Sequence, residues 1–363
     1  MTRRRCPRKT ASASQKAATS RFRVGAFHLI LDPVSQTARG LSPIATPDFD
    51  FLPIGRAKER AGNGYNHLGD IHLRLRQGGG AWRDYSSSRE RRPVRALPVR
   101  GAVLAAADIG GSMGTGMPLR IVREWVNDKG TPALRFTLTN TSNAPVEVGG
   151  LGLPMVFDNI ISDRTLEQAH AKASFADPYI GRDAGYVQVT RLNGAGPALL
   201  VLPERATPLE AYVPIPTLRE TKSQAVISEA SPRTQTSEGF YDWTIASAAY
   251  AQTDWAKAGA PWNEATSFTL APGQSRKIGL RLVTAPSIRA IEPTLTAQRR
   301  PVVVGVPGYV VPTDLEAALF VRSPPRSPAW PAIRRGRSTS RRHPASRAGP
   351  DCRCAGANGV GRA

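Results

Sequence analysis

Residues 133–157 read ALRFTLTNTSNAPVEVGGLGLPMVF, and this stretch decides the fold. Leu134, Phe136 and Leu138 alternate with Arg135, Thr137 and Thr139, so an extended segment has one apolar face and one wet face. Spacing of three and four, which a helix needs, is missing, and the β-branched and aromatic content favours a strand. The run Asn140-Thr141-Ser142-Asn143-Ala144-Pro145 supplies turn chemistry, after which Val146, Val148 and Leu151 resume an apolar series. The unit is therefore a hairpin or the corner of a sandwich, and the same grammar recurs in both directions along the chain.

To the N-terminal side, Phe22 to Leu31 forms a strand-like series that stops at Asp32-Pro33. Ile71, Leu73 and Leu75 alternate with Asp70, His72, Arg74 and Arg76, predicting a strand on whose wet face Asp70 and His72 sit together. Gly62-Asn63-Gly64 reads as a tight loop presenting Tyr65 and His67, and Gly78 to Gly80 as a turn leading to Trp82, Asp84 and Tyr85. Val103 to Ile109 and Leu119 to Val126 are two further strands. To the C-terminal side, Ser162 or Asp163 is placed to cap a short helix through Thr165, Leu166, Ala169 and Ala173. Tyr186 to Leu192, Ala198 to Leu202, Leu209 to Val213, Phe268 to Leu270 and Ile278 to Leu282 read as strands. Thr313 to Glu316 fits one more capping box.

A formal net charge of +21 on 363 residues raises the question of a nucleic-acid or membrane partner. The location of the charge answers it. Residues 1–23 and 323–363 together hold +16 of it, leaving +5 on the body, so solvated tails account for it better than a DNA-binding face. No specific nucleic-acid partner is expected. No apolar run reaches membrane-spanning length, and the basic start is followed by Ser, Ala and Thr rather than an apolar core, so neither a membrane partner nor an export signal is read. All three cysteines lie in the ends, and Cys352-Arg-Cys354 has poor zinc spacing. From Ser323 the composition turns to Arg, Pro, Ser, Ala and Gly without period. A natural basic tail and a shifted reading frame both produce that vocabulary, and the second would make the chain a truncated copy.

Gly110-Gly111-Ser112-Met113-Gly114 matches the pattern of a nucleophile elbow, which needs a strand, a strained turn and a helix. Here a second strand follows instead, so a glycine-rich loop is the better reading. Gly62-Asn63-Gly64 fails the dinucleotide fingerprint, no phosphate-binding loop occurs, and no cofactor is expected. His67 and His72 are five apart on a strand-like segment and face opposite sides, which argues against a shared metal. The aromatic set is more informative. Tyr65, Trp82, Tyr85, Tyr179, Tyr241, Trp243, Trp255 and Trp262 lie among polar residues including His67, Asp70 and Asp177, the mixture that stacks on sugar faces and holds hydroxyls. Packing at the ends of a sandwich is the competing account. Paired carboxylates for glycoside hydrolysis cannot be located from sequence spacing.

Six phrases carry a family resemblance: FDFLPIGRAKERAGNGYNHLGDIHLRLR (49–76), WRDYSSSRERRPV (82–94), VLAAADI (103–109), LGLPMVFDNIISDRTLEQAHAKASFADPYIGRDAGYVQVTRLNGAGPALLVLPE (151–204), EGFYDWTIASAAYA (238–251) and PVVVGVPGYVVPTD (301–314). Over about Phe49 to Phe320 the chain resembles the amino-terminal part of the bacterial and fungal domain-of-unknown-function family 5695, allied to six-hairpin glycosidases. The resemblance implies a galactose-mutarotase-like β-supersandwich followed by an α/α toroid of helical hairpins, the part that carries the general acid and base in related glycosidases. No such toroid is read after Phe320, and no catalytic residue is carried over. It also suggests an exported protein, though the compartment stays open.

The expectation is thus a mainly β protein, an antiparallel β-supersandwich with short helical inserts over residues 22–322, between disordered ends at 1–21 and 323–363. Its expected partner is an oligo- or polysaccharide, and its expected neighbour a helical toroid absent from this chain. Two alternatives remain: an aldose-epimerase-like enzyme using His and a carboxylate, and a non-functional fragment.

Overall fold

The computed structural model describes residues 20–56, 66–161, 163–214, 241–257, 261, 263–307 and 318–322. In chain order the strands are β1 (Ser20–Val24), β2 (Phe27–Leu31), β3 (Ala38–Pro43), β4 (His72–Gln77), β5 (Arg83–Ser86), β6 (Arg95–Ala96), β7 (Val103–Asp108), β8 (Leu119–Asp128), β9 (Thr131–Asn140) and β10 (Val146–Met155). They continue as β11 (Ser174–Tyr179), β12 (Tyr186–Arg191), β13 (Ala198–Pro203), β14 (Ala211–Pro214), β15 (Tyr241–Ala246), β16 (Phe268–Leu270), β17 (Ser275–Ala285), β18 (Val302–Val306) and β19 (Ala318–Arg322). The fold is mainly β, as expected, and every paired strand is antiparallel to its neighbour.

Two large sheets face each other. One runs β14-β15-β10-β4-β5, with β16 also on β10, and the other runs β11-β12-β13-β17-β9-β8-β7-β6. The stretch 133–157 is therefore a sandwich corner and not a hairpin, because β9 belongs to the eight-stranded sheet and β10 to the six-stranded one. The turn between β16 and β17 makes the same crossing in reverse. Asn140 stands where the two crossings meet, fully buried. Its side-chain amide donates to the Ala144 and Leu270 carbonyls at 2.8 Å each, and its side-chain oxygen accepts from the Ser142 backbone N–H and hydroxyl. Its backbone pairs with Gln274 and Gly273. All four hydrogen-bonding positions of one carboxamide are thereby used.

The main core lies between the sheets. Leu134, Phe136 and Leu138 of β9 and Ile278, Leu280 and Leu282 of β17 meet Leu73, Leu75, Val146, Val148, Leu151 and Leu153 from the other side. Each fully buried apolar side chain of this size contributes about 1.5–3 kcal/mol. A smaller core covers the outer face of the eight-stranded sheet, where Leu200, Leu202, Val283 and Ala285 pack under Ile291, Leu295 and Val302. Hence β13 (ALLVLP) is apolar at consecutive positions, as a strand buried on both faces must be. The sheet β1-β2-β3 is tied on by β8. Arg123 is buried and donates to the Gly69 and Ser35 carbonyls, and the Trp125 indole donates to Gln36 O at 2.9 Å. Burial pushes the Arg123 guanidinium down to about 10 against the pull of Asp70.

The inserted helix occupies Leu166–Lys172, and its cap is Thr165 rather than Ser162 or Asp163. Thr165 and Gln168 form a reciprocal capping box. The first described strand starts at Ser20, two residues before the expected domain start, while the box at 313–316 and the tail from 323 lie outside the described residues.

Asn140→Ala would strip partners from two buried carbonyls and from Ser142 together. The expected loss is about 2–4 kcal/mol, read as a lower urea midpoint with an unchanged slope. A loss under about 0.5 kcal/mol would show that the two crossings hold without it.

Candidate functional site

The alternation of β4 puts Leu73 and Leu75 in the core and His72, Arg74 and Arg76 on the outer face of the six-stranded sheet. Beside them runs β10, whose outer face is floored by glycine. A Cβ on Gly152 would lie 2.5 Å from an Asp242 carboxylate oxygen, and one on Gly150 would lie 2.7 Å from Arg74 Cβ and 3.0 Å from the Tyr250 ring. Side chains from β4 and β15 can therefore close over β10. Asp242 of β15 reaches His72 Nδ1 at 2.7 Å, while His72 Nε2 lies 2.7 Å from the Asn66 side-chain oxygen. The Asp242 carboxylate accepts from the His72 ring, and an imidazolium can donate to both partners at once. Burial pushes the His72 pKa down, but the Asp242 carboxylate outweighs it and the net shift is upward. The second Asp242 oxygen is buried without a donor among the described residues.

Next along β4, Arg74 gathers two carboxylates. Its Nε donates to Asp84 at 2.6 Å, and its Nη1 donates to Asp254 and, at 3.0 Å, to the Thr253 hydroxyl. The Asp84 and Asp254 side chains are half exposed, at 51% and 49%. The guanidinium lies 4.5 Å from the centre of the Tyr250 ring, and Tyr250 stacks on Trp255 at 5.2 Å. Burial holds the Tyr250 hydroxyl protonated, with the charge of Asp242 acting in the same direction. Tyr250 comes from the helix Ala248–Gln252, which packs on β10. Trp82 lies directly on Gly149, donates to the Gln252 side chain at 3.2 Å and carries the Arg76 guanidinium 4.1 Å above its ring. Arg76 is in turn paired with Glu147 at 2.6 Å.

Of the residues expected to contact sugar, Trp82 and Trp255 are on this face. Asp70 is not, and its expected pairing with His72 does not form. It is buried, accepting from Arg91 at 2.6 Å, Ser87 Oγ at 2.7 Å and the His67 backbone N–H at 2.8 Å. Burial raises its pKa, but the Arg91 and His67 charges reverse the shift. A carboxylate so saturated is a structural knot, and His67 is part of it. Tyr85 is buried with its hydroxyl on Gly116 O at 3.1 Å. Trp243 is fully buried in the core, its indole on Pro208 O, so it has no free ring face to offer. Asp177, Tyr179 and Tyr241 form a separate group with the unexpected Tyr186 and Tyr212. Tyr179 stacks on Tyr186 at 4.5 Å, and Tyr241 on Tyr212 at 4.7 Å. Asp177 faces Gln188, and partial burial raises its pKa. Tyr65 and Trp262 lie outside the described residues.

Sequence reasoning missed Asn66, Arg74, Asp84, Tyr250 and Asp254 as site residues. Arg74 was readable from the alternation of β4, whereas Asn66 and Tyr250 carried no signal before β4, β10 and the 248–252 helix were brought together. Ser112 is buried, its hydroxyl exchanging hydrogen bonds with the Arg92 backbone, so it serves the glycine-rich loop. Among the described residues no three His, Cys, Asp or Glu side chains converge as metal ligands would.

Architecture and site together define an antiparallel β-supersandwich with a polar and aromatic outer face. Residues 30–329 match the family of unknown function DUF5695, and the chain belongs to that family. No curated protein matches the sequence. Among solved structures, a polysaccharide lyase superposes with a TM-score of 0.57 at 13% identity, over 83% of this chain and 38% of the lyase. The chain thus spans well under half the length of that protein. Galactose mutarotase-like proteins from Clostridium acetobutylicum and Lactobacillus casei ATCC 334 align with TM-scores of 0.39 each, at 8% and 9% identity, over 73% and 74% of this chain and 94% and 100% of theirs.

Asp242→Asn is expected to lower the His72 pKa, followed by the imidazole proton resonances in a pH titration; Gly152→Ala, which pushes the carboxylate aside, should do the same at a cost of about 1–3 kcal/mol. An unmoved His72 titration would break the link between them. A second prediction concerns stability. Asp50 accepts the Leu41 and Leu52 backbone N–H groups, yet burial, reinforced by Asp158, pushes it up to about 7. The native state therefore holds a proton on Asp50 that the unfolded chain releases near its ordinary value, and this contribution fades as pH rises from about 4 to about 7. The raised His72 acts in the same sense, its contribution present below about 6.5 and lost as pH passes its native pKa. Urea midpoints should fall between pH 5 and pH 8, and Asp50→Asn should flatten the fall; a rise over that range would contradict both assignments.

Proposed function

We propose that this domain binds a carbohydrate chain on the outer face of its six-stranded sheet, as the binding or scaffolding part of a glycoside-hydrolase-like protein whose helical toroid is not in this chain. One observation carries the reading. The half-buried Trp255 caps the stack Arg74–Tyr250–Trp255, and beside it stand Asp84 and Asp254, half-exposed carboxylates whose positions Arg74 fixes. A pyranose offers an apolar face for a ring and equatorial hydroxyls that donate to such acceptors. Because the acceptors are already ordered, little side-chain freedom is lost on binding. The fold shared with a polysaccharide lyase, of whose length the chain spans 38%, supports the reading.

A second reading, aldose-epimerase-like proton transfer, is favoured only by the 2.7 Å contact of His72 with Asp242. Both imidazole nitrogens are engaged there by protein partners, which leaves neither directed at a substrate. Polarimetry of sugar anomerisation with His72→Gln separates the two readings.

Titration calorimetry of the chain against neutral oligosaccharides should show binding that weakens about ten-fold in Trp255→Ala and several-fold in Asp254→Asn. A folded protein that binds none of a broad neutral and acidic panel would defeat the proposal.

A further inference from the structure

At the open end between the two sheets, away from the Trp255 face, lies a cavity of about 290 Å³. Its lining includes Leu75, Arg76, Arg83 and Tyr85 of the β4–β5 hairpin, and Gly116 and Pro118 of the loop before β8. That volume is at the lower edge of small-molecule sites, about 300–1,000 Å³, and suits one sugar unit. The register pairs Arg83 with Leu75, so Arg83 lies on the side of the hairpin opposite to Asp84, with Leu75 and Tyr85. The floor is apolar and buried, since Leu75 is 2% exposed and Tyr85 8%, and the Tyr85 hydroxyl is held by Gly116 O.

The charge in the cavity is unbalanced. Arg76 is matched by Glu147 and held flat on Trp82, so it is ordered and neutralised. The Arg83 side chain is exposed and makes no hydrogen bond or ion pair among the described residues, and the lining contains no acid. The hairpin keeps the guanidinium at the rim. Gly80 N–H donates to Gln77 O across Gly78 and Gly79, whose φ values of 57° and 72° lie in the left-handed region that glycine accepts, and the ladder pairs Leu75 with Arg83. An apolar floor with an uncompensated planar guanidinium above it fits a ring that carries a carboxylate, to which a guanidinium donates two parallel hydrogen bonds.

We propose that this cavity is a subsite for an acidic sugar, a pyranose bearing a carboxylate, with Arg83 as its specificity-determining residue. The inference deepens the carbohydrate reading and rests on it. It also divides the surface by charge: Asp84 and Asp254 favour uncharged units beside Trp255, and Arg83 selects an acidic unit beyond the β5 edge.

The test is calorimetric titration of the full chain at low ionic strength with trigalacturonate and with its methyl ester, in which each carboxylate is capped by a methyl group and carries no charge. Wild type is expected to bind the acid form about ten-fold more tightly, Arg83→Gln to bind both alike, and Arg83→Lys to retain part of the preference through charge without the fork. Equal binding of the two forms by wild type, or a full preference surviving in Arg83→Gln, would overturn the assignment. Failure of wild type to bind either form overturns both this inference and the carbohydrate reading when the neutral panel also fails, and this inference alone when the neutral panel binds. A circular dichroism spectrum of Arg83→Gln matching wild type establishes that loss of preference is local.

Discussion

One buried carboxamide holds the sandwich at its corner. Two separate chain crossings, β9 to β10 and β16 to β17, carry the backbone from one sheet to the other, and each must bury peptide groups that no strand ladder can satisfy. Asn140 supplies the missing partners from both sides at once, donating to Ala144 and Leu270 and accepting from Ser142. The two crossings it links are 130 residues apart at Asn140 and Leu270, so the contact sets the relative placement of β10 and β17, on which the core between the sheets depends. In a low-dielectric interior an unpaired peptide group is costly, which is why one side chain with four hydrogen-bonding positions sits there and not an apolar residue of the same size.

The outer face of the six-stranded sheet follows from a second constraint, the absence of side chains on β10. With Gly150 and Gly152 as its floor, the space over the central strand is filled from its neighbours, by His72 and Arg74 from β4 and Asp242 from β15. Each of these charges is largely removed from water and is tolerated because its partner is in place. The same rule governs the buried group of Asp70, Arg91 and Arg123 on the other side of the loop. What distinguishes the candidate site is that Asp84, Asp254 and Trp255 are ordered by these pairs yet remain partly open to solvent. Rigid positioning from below with polar and aromatic groups above is the arrangement that a sugar surface needs.

Much of the architecture was legible because a strand buried on one face announces itself with period two. The alternation of Leu134, Phe136 and Leu138 and of Leu73 and Leu75 was read correctly, and so were the Thr-rich and Arg-rich wet faces opposite them. The helix near residue 166 was also legible, although its cap was assigned to the wrong residue: the box Thr165 to Gln168 competes with Ser162 and Asp163 within three positions. The site was less legible. Trp82 and Trp255 were found by composition, but composition could not tell them from Trp243, which also stands beside polar residues and is packed in the core. Asp70 looked like a partner for His72 because both were assigned to one wet face, whereas the chain turns just before β4 and buries Asp70 against Arg91.

By itself the sequence determined the strands that alternate clearly, such as β4, β9 and β17, with their apolar faces, and that the excess positive charge belongs to the ends, because these depend on period and local composition alone; β3, β11 and β15, which carry no clean alternation, were not read as strands. Whether 133–157 is a hairpin or a corner, and which acid meets which base, was decided only by the tertiary structure. His72 and Asp242 are 170 positions apart, as are Trp82 and Gln252, and Arg74 and Asp254 are 180 apart. Such pairs exist only after the strands of one sheet have been ordered, since a strand ladder places residues by register and not by distance along the chain. The glycines of β10 were visible as letters throughout, and only the neighbours crowding over them show that they make the site.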